Sequence, residues 1–205
     1  MNIDMDELRE HLARIKAITE ETTYDPPCEE DCTVTYLRVP QVSLEDGLQE
    51  GIQEYHDRQR RKAKEQPKLR KGTKYYVRLV RRDGMLIRAD KFYDGEVNVT
   101  FVARYENDAR YLIPYLENGK FRGTYTYVTR WEDGRVREEF AVSGGQILRW
   151  SFEYMEDGTV HVAMVNALPD GNEPVICWKT AIYTPGETIT CEDTGYWDFW
   201  MKDNK

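Results

Sequence analysis

A mainly β fold is expected for this chain: an antiparallel up-and-down meander of about nine to ten strands. It forms a barrel or a strongly curved sheet, with N-terminal helices packed against it. Three features carry that expectation. Turn dipeptides recur through the last two-thirds of the chain, at Asp83-Gly84, Asp94-Gly95, Asn107-Asp108, Asn118-Gly119, Asp133-Gly134, Gly144-Gly145, Asp157-Gly158 and Asp170-Gly171. Asp-Gly and Asn-Gly suit tight hairpins, because both central residues of a type I′ turn need positive φ. Between the turns, apolar and polar residues alternate, the period of a half-buried antiparallel strand. Aromatics make up 12% of the 205 residues, and the 14 Tyr and 5 Trp fall mostly in this region, as an aromatic sheet face requires.

In chain order, residues 4–20 read as an amphipathic helix. Asp4 caps it with Glu7 at capping-box spacing, and Met5, Leu8, Leu12, Ile15 and Ile18 form the apolar stripe. Residues 22–31 are a turn-rich break containing Pro26-Pro27. Thr33 to Val39 alternates like a short strand. A second helix begins at Ser43, with Leu44, Leu48, Ile52 and Tyr55 as its stripe, and runs as a charged surface from Arg58 to Lys64 until Pro67 ends it. Strands follow at about 74–81, 85–92, 96–105, 110–117, 121–131, 135–142, 146–155, 159–166 and 175–183, with a tenth at 187–191. Pro114 marks 110–117 as an edge or bulged strand. This gives two regions, a helical segment and linker over 1–72 and a β-barrel-like domain over 73–205. So many hairpin-linked strands do not stay flat, so closure, strong bending and a Greek-key sandwich are the available outcomes.

The net charge of −8 is unevenly spread. Residues 1–57 carry 4 Lys/Arg against 15 Asp/Glu, net −11; residues 58–71 carry 8 against 1, net +7. The acidic block suits basic partner surfaces and the basic block suits phosphates, but no RNA-binding sheet motif follows it, so nucleic acid is not an expected partner. No apolar run is long enough to span a membrane, and the acidic start lacks the parts of a signal peptide, which predicts a cytoplasmic protein. Cys28, Cys32, Cys177 and Cys191 are open to three readings: free thiols, a zinc site of two pairs, or disulfides.

No nucleophile elbow, phosphate-cradling loop or dinucleotide fingerprint is present, and His11, His56 and His161 have no metal-pair spacing. No cofactor is expected, and the reading leans away from an enzyme. Binding is the better expectation. Tyr125, Tyr127, Trp131, Trp150, Phe152 and Tyr154 share strand parity and would line a cavity of the size that small barrels enclose. Arg88, Asp90 and Glu138 fall on apolar parities, where a charged group needs a partner or a ligand. An Arg88–Asp90 or Arg88–Glu138 pair would anchor such a ligand. The expected function is non-catalytic binding of a small apolar or aromatic ligand in a β-barrel cavity. The alternative is an acidic protein-interaction or inhibitor module, acting on a protein partner through the N-terminal helices or the aromatic tail at 194–201.

Overall fold

A computed structural model describes residues 4–25, 27–38, 48, 64–116, 118–121, 125–169, 176–183 and 190–194. Twelve antiparallel strands form one sheet. They are β1 (Thr33–Arg38), β2 (Lys64–Gln66), β3 (Tyr76–Arg82), β4 (Met85–Tyr93), β5 (Glu96–Glu106) and β6 (Ala109–Tyr115). Then come β7 (Thr126–Glu132), β8 (Arg135–Ser143), β9 (Gln146–Tyr154), β10 (Val160–Ala167), β11 (Ile176–Tyr183) and β12 (Thr190–Thr194). From β3 to β12 every strand pairs with its sequence neighbour, and β1 and β2 add to the β3 edge. Segment 1–72 therefore contributes two strands to the same sheet as 73–205.

The turn chemistry explains the register. Asp83-Gly84, Asp94-Gly95 and Asp133-Gly134 all have positive φ at both residues, the type I′ geometry whose twist matches the flanking strands. Register shifts interrupt the ladders at Val80/Arg81, Lys91/Phe92, Arg130/Trp131 and Thr180/Ala181. Each such bulge bends its strand and increases local twist.

Two expectations are corrected. The sheet does not close into a barrel: among the described residues, no ladder joins β2 to β12. The two edges, of three and five residues, are short, and short edges offer little backbone to pair. Pro114 lies in a central strand, flanked by β5 and β7, and not at an edge. It is tolerated there because the β6–β7 register ends at Leu112, so Pro114 lies beyond that ladder.

The helix α1 (Met5–Glu21) starts where the capping signal placed it, with Asp4 accepting from the backbone N–H of Asp6 at 2.9 Å and Glu7 at 3.2 Å. Its buried residues Leu8, Leu12, Ile15 and Ile18 join one apolar cluster with Val102, Ile113, Val128, Phe140, Ile147 and Val165 of the sheet. The opposite face carries a second cluster that includes Leu48, Val77, Phe101, Leu112, Tyr127 and Ala141. Both faces of the central strands are therefore covered, and all seven residues of β6 are buried. Of the expected second helix, only Leu48 and residues 64–66 are described, and Lys64–Gln66 pair with β1 as strand β2 rather than ending a helix; its other residues lie outside the described ones, as do 195–205 of the aromatic tail. Among the described residues, no helix is long and apolar enough to cross a membrane.

Candidate functional site

Strand register decides which expected site residues can meet. On β8, Glu138 faces Arg130 of β7, and Phe140 faces Val128 and Arg149, so Glu138 lies on the face that meets α1. Arg88 and Asp90 are on that face too, through their pairing with Val102 and Thr100, but they belong to a separate cluster on β4. The six aromatics occupy the other face. Tyr125, Tyr127 and Trp150 pack in the cluster around Phe101, and Trp150 and Tyr154 pack against buried Phe152. Trp131 lies under the Arg110 guanidinium, 5.3 Å from its ring centroid. The nine residues thus form three groups, and the sheet separates the aromatics from all three charged residues.

Both charged groups are ion networks between the sheet and the N-terminal segment. Arg149 donates from Nε to Glu138 Oε1 at 2.9 Å, with Nη2 bonded to the same oxygen, and Arg130 donates to Oε2 at 3.1 Å. Arg149 also donates to Glu7 of α1 at 3.1 Å, and Glu7 lies 3.5 Å from His11 Nε2. Burial would raise the Glu7 pKa, but Arg149 outweighs it and the net shift is downward. His11 packs against the Phe140 ring, and burial is the main cause of its lowered pKa. On β4, Asp90 is buried and accepts from Arg88 Nε at 2.7 Å, Arg78 Nη1 at 3.1 Å and Thr100 Oγ1 at 2.8 Å. Glu29, from the segment after α1, pairs with both arginines, and Arg78 is the main cause of its lowered pKa.

A cleft of about 400 Å³ lies elsewhere on the helix face, where none of the nine residues reaches it. Lys16, Thr19, Glu20 and Thr22 line it from α1 and its C-cap, and Tyr115, Phe121, Thr126 and Val142 line it from the sheet, with Ser143-Gly144 from the β8–β9 turn. The threonines stand at its base for a local reason. The Thr19 and Thr22 hydroxyls donate back to the Ile15 and Ile18 carbonyls, at 2.8 and 2.7 Å, at the C-terminal end of the helix. Thr126 shares the parity of Val128 and is buried, and its Oγ1 is 3.3 Å from that of Thr19. Tyr115 donates to the Thr22 carbonyl at 2.6 Å, and burial raises its pKa, so it stays a protonated donor. The lining hydroxyls of Thr19, Thr22 and Tyr115 are thus tied to backbone carbonyls, and the rest of the lining is Val142, Phe121 and methyl groups together with Lys16, Glu20 and Ser143.

Apart from Phe121, which sequence parity groups with the candidate aromatics, these lining residues are not ones that a search for aromatic and charged positions on apolar parities selects. The usable signal was a small side chain, Thr126, on the parity of Val128, where a side chain that small leaves space. Cys28 and Cys32 are free thiols, and among the described residues no His, Cys, Asp and Glu group is placed to hold a metal ion. The side chains of Cys177 and Cys191 lie outside the described ones. Comparison with known protein families, with curated proteins and with solved structures finds no match for this chain.

Proposed function

We propose that this is a non-catalytic binding protein for a small, mainly apolar molecule, held in the cleft between α1 and strands β6–β8. The observation that carries the proposal is the cleft itself: about 400 Å³, within the range of small-ligand sites. Its lining combines Phe121 and Val142 with hydroxyls that already donate to the protein backbone, and Lys16 and Glu20 of α1 add charged groups to it. A ligand acceptor would have to displace a backbone carbonyl from those hydroxyls, whereas an apolar ligand leaves the bonds in place. In this reading the sheet is strongly curved, as its four bulges favour, and α1 closes one side of the site.

The test uses the full chain and indole as an apolar probe, followed by amide chemical shifts. Saturable shifts at Thr19, Thr126, Ser143 and Gly144, abolished by Thr19→Phe, are the expected result. Shifts that do not saturate, or that fall on other residues, would overturn the assignment. Native mass spectrometry of the freshly purified protein then reports whether a natural ligand travels with it.

A further inference from the structure

We propose a second site, for a small aromatic carboxylate, formed by Arg78 and Arg88 beside the Tyr36–Tyr76–Phe92 ladder and occupied in this structure by the chain's own Glu29. The register places the parts together. Tyr36 on β1 is the direct partner of Arg78 on β3, Arg78 is the partner of Asp90, and Tyr76 is the partner of Phe92. Two arginines, an acid and three rings therefore share one face of three adjacent strands. The rings form a continuous platform: Tyr76 stacks on Phe92 with centroids 4.4 Å apart and planes 13° apart, and Tyr36 meets Tyr76 edge-on at 6.0 Å. All three rings are half-buried, and none belongs to the apolar clusters of the core.

Charge makes the case for an anion. Asp90 offsets one of the two guanidinium charges from beneath, leaving the sheet with one positive charge that is only 20% exposed on either arginine. Glu29 supplies the missing negative charge. Its two carboxylate oxygens both bond Arg78, Oε1 at 2.8 Å from Nη1 and Oε2 at Nη2, and Oε1 also lies 3.3 Å from Arg88 Nη1. This is the bidentate fork that arginine offers a carboxylate. Glu29 stands in a stretch without regular secondary structure and is the most exposed member of the network. The site already accepts a carboxylate, so a free one carrying a ring would make the same fork and gain the ladder as well. Glu29 lowers apparent affinity by the fraction of time it fills the fork.

The test titrates 2-naphthoate into wild type, Glu29→Gln and the double variant E29Q/R88Q, by calorimetry and naphthyl fluorescence anisotropy. Removing the internal competitor is expected to tighten 2-naphthoate binding about tenfold, as for a site filled about nine-tenths of the time. The double variant should lose that gain. Neutral 2-naphthamide should bind wild type and E29Q alike, and acetate, which has no ring, should bind E29Q more weakly than naphthoate. Equal naphthoate affinity in wild type and E29Q, a gain that survives R88Q, or the same gain for the amide would overturn the proposal. If E29Q does not fold, the wild type answers instead. Displacing Glu29 moves the turn that carries the free thiols Cys28 and Cys32, so saturating 2-naphthoate should change the Cys32 alkylation rate by about threefold or more. An unchanged rate would then overturn the proposal. Because none of Glu29, Arg78 and Arg88 lines the cleft beside α1, failure here leaves the indole result there intact.

Discussion

Glu138 separates two accounts of its charge: an anchor awaiting a ligand, or a bolt between sheet and helix. Glu138→Ala tests them. The carboxylate is 13% exposed and accepts from Arg130 and Arg149, which are 35% and 20% exposed. Its loss leaves the two guanidinium groups facing one another. At roughly 6 Å and an effective dielectric constant near 20, their repulsion is about 3 kcal/mol. Water reaching Arg130, and the remaining Glu7 partner of Arg149, reduce that figure, while the lost charge-assisted hydrogen bonds add about 1.5–3 kcal/mol. The net expectation is a loss of about 3 kcal/mol, at the lower end for breaking a buried pair. Glu138→Gln, which keeps one acceptor oxygen, should cost about 2 kcal/mol on the same reasoning. With a urea m-value of about 2 kcal/mol/M, the alanine variant should unfold at a midpoint lower by about 1.5 M, read by tryptophan fluorescence. A midpoint shift under about 0.3 M would refute the bolt, since the arginines would then not need Glu138.

Three further outcomes follow from the geometry. Leu12→Ala removes a side chain that is 1% exposed between α1 and the sheet, and should cost about 3 kcal/mol in the same urea assay; a loss below about 1 kcal/mol would mean that α1 is not seated there. Gly119→Ala should destabilise more than Gly95→Ala: both need positive φ, but only at Gly119 does the added Cβ meet Tyr24, at 2.9 Å, and equal melting temperatures would contradict that contact. His11 titrates below its ordinary value of 6.5, because burial, then Arg149 and Arg130, outweigh Glu138 and Glu7. The unfolded chain therefore binds the proton first, and stability falls as pH drops below about 6.5; urea midpoints at pH 7.5 and 5.5 should diverge less in His11→Gln than in wild type.

Local order was legible because it is written locally. The Asp-Gly pairs at 83–84, 94–95 and 133–134 announce their own turns, and the helix stripe from Leu8 to Ile18 is buried as its spacing implied. Alternation also assigned side chains to opposite faces within each strand. What alternation within a strand does not encode is how the faces of neighbouring strands combine. Phe140 and Trp150 both lie on apolar parities of adjacent strands, yet Glu139 is the register partner of Trp150, so Phe140 and Trp150 stand on opposite faces. Both positions are apolar because both faces are covered. Tyr111-Leu112-Ile113-Pro114-Tyr115 carried the warning, since a continuous apolar run marks a strand buried on both sides.

The same two-sided cover changes what the charges mean. The acidic N-terminal segment looked like a surface for basic partners. In the fold, Glu7 reaches Arg149, Glu21 reaches Arg104, and Glu29 reaches Arg78 and Arg88. The segment's carboxylates answer arginines that β3, β4, β5 and β9 project from one face of the sheet. A helix and a strap lie on that face, so strand positions that would otherwise meet water carry charge that must be matched across the seam. This also explains why the polar residues on apolar parities did not mark one pocket. They mark where the N-terminal segment is fastened, and the cleft opens where that seam is made by small side chains instead, at Thr19, Thr22 and Thr126.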